Sequence, residues 1–152
     1  GVYDCTMHLR KKNPRLYLQR KGLAKFLGEL EARVMEEVWA RDGATVREVW
    51  RTFVEEARAN GDDEPAYTTI LTVMQNLAKK GILEVKGRAG RSYVYVPCCS
   101  KEEFVRSHVQ LTLKELLEDF PEEVLATLLA PGTQLPPETV ARFRKLLDEQ
   151  HG

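Results

Sequence analysis

Ala66-Tyr67-Thr68-Thr69-Ile70-Leu71-Thr72-Val73-Met74-Gln75-Asn76-Leu77-Ala78-Lys79-Lys80-Gly81 is the stretch that organises the rest of this 152-residue chain. Ile70, Val73, Met74 and Leu77 recur at i, i+3, i+4 and i+7, the spacing of one buried helical stripe. Lys79 and Lys80 give a basic last turn and Gly81 a stop, so the spacing predicts a helix over about 67–80. The opposite face carries Thr68, Thr69, Thr72, Gln75, Asn76 and Lys79. A merely solvated helix would more often place Glu and Lys there. These side chains are short, mostly neutral and rich in hydrogen-bonding groups. Gln and Asn can bind adenine through two bonds, and Thr methyls pack on thymine. The face has no acid, as a surface set against phosphate requires.

Working outward, Leu30, Val34, Met35, Val38 and Trp39 predict a first helix over about 29–41, ended by Asp42-Gly43. Thr45-Val46-Arg47-Glu48 has the form of a capping box, opening a second helix over about 46–59 with Val46, Val49, Trp50, Phe53 and Val54 inward. Asn60 to Pro65 is a polar loop. After Gly81 the period changes to two. Ile82 to Lys86 and Ser92 to Pro97 form strands around Gly87-Arg88-Ala89-Gly90-Arg91, a hairpin whose tip carries Lys86, Arg88 and Arg91. Three helices and a ribbon are the elements of a winged helix-turn-helix, whose third helix enters the major groove while the ribbon tip rests on phosphate. Further helices are expected over about 101–118, 121–130 and 137–149. The expected fold class is therefore mainly α with a small β hairpin. A basic N-terminal arm occupies 1–27, a winged-helix DNA-binding domain 28–99 and a helical dimerisation domain 100–152.

The charge distribution agrees. The chain has 23 bases and 23 acids, but they are segregated. Residues 1–28 carry Arg10, Lys11, Lys12, Arg15, Arg20, Lys21 and Lys25 against Asp4 alone, and residues 65–97 carry five bases against Glu84. Residues 29–64 hold eleven acids against five bases, and residues 98–152 ten against six. A protein that meets a polyanion with only some of its elements has this pattern; solvated faces would give it too. The basic arm admits three readings: a minor-groove contact, a solubilising tail, or a strap over its own acidic segment. No apolar run approaches the roughly 18 residues that cross a bilayer. There is no charged-then-apolar leader pattern either, so the expected compartment is the cytoplasm, with no membrane insertion.

The C-terminal third offers Phe104, Leu111, Leu116, Leu117, Phe120, Leu125, Leu128, Phe143 and Leu146, more apolar surface than three short helices bury alone. A homodimer interface is expected there, a private second core being the alternative. Three cysteines do not form a closed disulfide framework. Cys5, His8, Cys98 and Cys99 would together supply three thiolates and an imidazole, enough for zinc or an iron–sulfur cluster in a metal- or redox-sensing regulator. Against this, Cys98 and Cys99 also fit as half-buried residues where the wing meets the next helix. His108 and His151 have no partner at ligand spacing and are expected on the surface. No Gly-rich phosphate loop, Ser elbow or His-Glu-x-x-His is present. Pairs such as Glu36-Glu37 and Glu122-Glu123 point about 100° apart on a helix. The expectation is a binding protein, not an enzyme.

The 66–81 stretch, with Leu27-Gly28-Glu29-Leu30-Glu31-Ala32-Arg33-Val34-Met35 before it and Gly90-Arg91-Ser92-Tyr93-Val94-Tyr95-Val96-Pro97 after it, resembles the penicillinase-repressor family of BlaI/MecI type over about residues 27–120. The resemblance implies a homodimeric winged-helix repressor on a dyad operator, controlling β-lactamase, copper-export or related stress genes. It also implies C-terminal dimerisation and, for some members, inactivation by a membrane sensor protease. Three departures bear on the transfer. The family usually has Arg where this chain has Asn76. Residues 100–118 lack the Asn-Phe pair at which protease-cut members are cleaved. The C-terminal Cys-x-Cys pair of the copper-responsive branch is absent. The resemblance therefore does not supply the effector from either branch.

Overall fold

The computed structural model describes residues 16–129 and 136–151, apart from the side chains of Phe143 and His151. A 3-10 turn (Gly22–Lys25) leads into α1 (Glu29–Arg41), α2 (Val46–Asn60) and α3 (Tyr67–Lys79). The strands β1 (Leu83–Ala89) and β2 (Ser92–Pro97) follow, then α4 (Lys101–Asp119), α5 (Pro121–Leu129) and α6 (Pro137–His151). The chain divides into two compact units, one ending at Leu111 and one beginning at Thr112.

In the first unit the three apolar stripes converge. Val34, Met35 and Val38 of α1, Val49 and Phe53 of α2, and Ile70, Met74 and Leu77 of α3 form one core with Ile82, just before the ribbon, and Leu83 and Tyr95 within it. The capping box forms as the sequence predicts. Glu48 N–H donates to Thr45 Oγ1 at 3.2 Å, and Thr45 N–H donates to Glu48 Oε1 at 3.4 Å, satisfying amides that the helix start would leave open. Two signals were invisible in the periodicity. Ala44 exchanges backbone hydrogen bonds with Tyr95, 2.9 Å each way, adding a one-residue bridge to the ribbon. One residue has no period to read. The bridge brings the backbone so close that a Cβ on Gly43 would lie 3.0 Å from Val96 Cγ1, at a φ of +120°. Leu23 and Leu27 are also buried, so the segment expected as an arm to residue 27 joins the core at its end. The arm bases Arg10, Lys11, Lys12 and Arg15 lie outside the described residues.

The start of α4 corrects two expectations. Phe104, expected at a dimer interface, is fully buried in the winged domain, and His108, expected on the surface, is fully buried one helical turn later. Their rings lie 4.0 Å apart between Trp39, 5.6 Å from Phe104, and Phe26, 5.1 Å from His108. His108 Nδ1 is 2.7 Å from the Phe104 carbonyl oxygen. Trp39 Nε1–H donates to the Cys99 carbonyl at 2.9 Å and fixes the chain just before the helix. Ser100 caps it, accepting from Glu103 N–H at 3.1 Å. The first unit thus runs past the boundary expected at residue 99, because the opening turns of α4 contribute core side chains to it.

The second unit is different. Leu113, Leu116, Phe120, Leu125, Leu128, Leu129, Leu146 and Leu147 are exposed, and no residue of this unit is buried among the described ones. No helix among the described residues is long and apolar enough to cross a membrane.

Candidate nucleic-acid interface

α3 is placed by the tryptophan one helix earlier. Trp50 Nε1–H donates to the Pro65 carbonyl at 2.9 Å, and its ring meets Tyr67 edge-on at 5.7 Å. These contacts fix the residues that open the helix, where Ala66 supplies no side-chain cap. At the other end Lys80 pairs with Glu31 of α1 at 2.7 Å, both partly buried. With its start and end held, α3 buries Ile70, Met74 and Leu77 completely and turns Thr68, Thr69, Thr72, Gln75, Asn76 and Lys79 to solvent. The two consecutive lysines therefore differ in setting: Lys80 binds the fold together, while Lys79 stays on the exposed face.

β1 and β2 pair antiparallel, with a bulge between Val85 and Arg88. Lys86, Arg88 and Arg91 are all exposed at the far end of the ribbon. Their surroundings are not alike. Lys86 lies 3.5 Å from Glu84, an exposed pair on the same strand. Arg88 stacks over the Tyr93 ring, 4.7 Å from its centroid, and its Nη2 donates to the Tyr93 hydroxyl at 2.8 Å. Arg91 pairs with no acid among the described residues. Sequence reasoning did not single out Tyr93; its position across the hairpin from a tip arginine was the available signal. At the root of the ribbon, burial pushes the Tyr95 phenol pKa up, and the neighbouring Tyr67 and Tyr93 add to the shift.

The thiol set is not assembled by the described residues. Cys98 and Cys99 are half-buried where the ribbon leads into α4, and Cys5 and His8 lie outside the described residues. No group of three or more His, Cys, Asp or Glu able to hold a metal ion occurs among the described residues. An open pocket of about 580 Å³ is lined by Trp39, Pro97, Cys99 and Lys101 together with Glu36, Asp42 and Glu102. Its acids oppose any anionic occupant.

Three packed helices, a basic ribbon and an acid-free third helix define a winged helix-turn-helix protein of the transcription-regulator class. The sequence profile described as penicillinase repressor matches residues 27–149, and the chain belongs to that family of transcriptional regulators. Over 80 residues it is 40% identical to the transcriptional regulator BlaI of Mycobacterium tuberculosis, in strains CDC 1551 / Oshkosh and ATCC 25618 / H37Rv. That alignment covers 52% of this chain and 53% of the relative, so the chain spans about half the length of the curated relatives it matches. Among solved structures, the complex structure of hsRosR-S4 aligns with a TM-score of 0.44 and 18% identity, covering 70% of this chain and 90% of that one. The complex structure of hsRosR-SG aligns at 0.43 and 15%, covering 86% and 96%.

Proposed function

We propose that this chain is a homodimeric repressor that binds a dyad DNA operator. The exposed face of α3 reads base edges in the major groove, and Lys86, Arg88 and Arg91 meet backbone phosphate. The observation that carries this reading is the division of α3. Ile70, Met74 and Leu77 are fully buried, with Leu71 and Val73 half-buried beside them, so the threonine, glutamine and asparagine face is held outward on a packed helix and is free of carboxylate. A flexible polar loop with the same residues would lose much of its binding energy to ordering. The C-terminal helices pair two copies, which sets two half-sites a whole number of DNA turns apart.

Selection of DNA fragments by the purified protein tests the proposal. A palindromic site should emerge. Gln75→Ala and Asn76→Ala should each relax preference at one base step per half-site, at a cost of roughly 1–3 kcal/mol. Preference that survives both substitutions would show that the reading face has been misassigned.

A further inference from the structure

We propose that Arg88 and Tyr93 form a two-residue clamp for one DNA backbone phosphate, in which Tyr93 is itself a binding residue. The inference rests on the DNA-binding reading above. Val85 pairs with Tyr95, so regular pairing would set Gly87 opposite Tyr93; the bulge advances β1 by one residue and sets Arg88 there instead. Gly87 takes the required backbone, with φ +138°. Without the extra residue the strand would present Arg88 on the other face, because side chains alternate.

The pair that results is chemically suited to an anion. Arg88 Nη2–H donates to the Tyr93 hydroxyl oxygen, which leaves the hydroxyl proton to be donated elsewhere. The guanidinium keeps its other N–H donors, and the ring beneath restricts its rotamers. Two donors of different kinds are thus held side by side on an exposed hairpin tip, around a full positive charge. Tyrosine hydroxyls and arginine forks are both common phosphate ligands. Among the described residues no carboxylate pairs with Arg88, and the hairpin's one acid, Glu84, is engaged by Lys86.

The test measures affinity for a short duplex of mixed sequence over a salt series, with the unmutated chain, Tyr93→Phe, Arg88→Ala and the double variant. Arg88→Ala should reduce the salt slope by about one, because one cation is lost. Tyr93→Phe removes no charge. It should weaken binding about tenfold at every salt concentration and leave the slope unchanged, the effect expected of one hydrogen bond to a charged group. In the Arg88→Ala background the same substitution should have little further effect, which a tyrosine that only stabilises the hairpin would not show. Thermal melting of Tyr93→Phe should match that of the unmutated chain, since the residue is exposed. Unchanged affinity in Tyr93→Phe, or an additive loss in the double variant, overturns the clamp and leaves the function of α3 intact. Failure of the unmutated chain to bind any duplex overturns the DNA-binding reading, and the clamp with it.

Discussion

Phe104 shows how one residue can belong to a different part of the molecule than its sequence neighbours suggest. With no exposure, and in ring contact with Trp39 and His108, it should behave as a core residue of the winged domain. Phe104→Ala is expected to cost about 3–5 kcal/mol, the sum of lost apolar transfer and a retained cavity. Denaturant unfolding should show this as a lower midpoint at an unchanged slope. The sequence could not reveal that assignment. Phe104 and Leu116 are both apolar residues on one predicted helix, and only the packing partner, here Trp39 from α1, separates them. The inward face of α3 was legible for the opposite reason. Ile70, Met74 and Leu77 have local spacing that admits one buried side, and Thr68, Thr69, Thr72, Gln75, Asn76 and Lys79 mark the opposite one without any partner being known, while Val73, expected inward, lies half-buried at the edge of the stripe.

At the scale of elements, the ribbon is joined to the fold at its root and charged at its tip, and each end has a measurable consequence. Glu84 holds Lys86 in an exposed pair at 3.5 Å, which on the proposed DNA-binding reading would compete with a phosphate. Replacing Glu84 with Gln removes both this pairing and a negative charge from the proposed phosphate-binding end of the ribbon. Affinity should rise up to about fivefold at low salt, within the worth of an exposed ion pair, and the gain should fade as salt screens it. Filter-binding or anisotropy titrations at two salt concentrations would check it; equal affinity to the unmutated chain would refute it. At the root, the raised pKa of Tyr95 means that the folded state holds a phenolic proton that the unfolded state releases first. Stability from this group is therefore complete below about pH 10 and is lost as pH rises through the folded-state pKa. The melting temperature should fall on that alkaline limb, and Tyr95→Phe should flatten the fall. The alternation of Tyr93, Val94, Tyr95 and Val96 announced this strand, whereas its bulge and its bridge to Ala44 depend on chain approach that no local pattern encodes.

For the whole molecule, the contrast between the two units decides how copies would assemble. The first unit has a closed core; in the second, Leu116, Phe120, Leu125, Leu128 and Leu146 are each more than two-fifths exposed. Burying one such side chain fully is worth about 1.5–3 kcal/mol, so several left in water constitute a strong drive toward association. Residues 98–152 carry ten acids against six bases, so this surface disfavours a polyanion, and a second copy is its expected occupant. Sedimentation of the purified chain should accordingly give a dimer. Leu125→Glu and Leu128→Glu, each placing a charge on that surface, should shift it to monomer while the winged domain, whose core contains neither residue, keeps its thermal transition. On the proposed dyad-operator reading, affinity for the full site should then fall by about 10²–10⁴, because two linked heads would lose their effective concentration, while affinity for a single half-site stays the same. A Leu125→Glu chain that remains dimeric and binds the full operator as before would place the interface elsewhere.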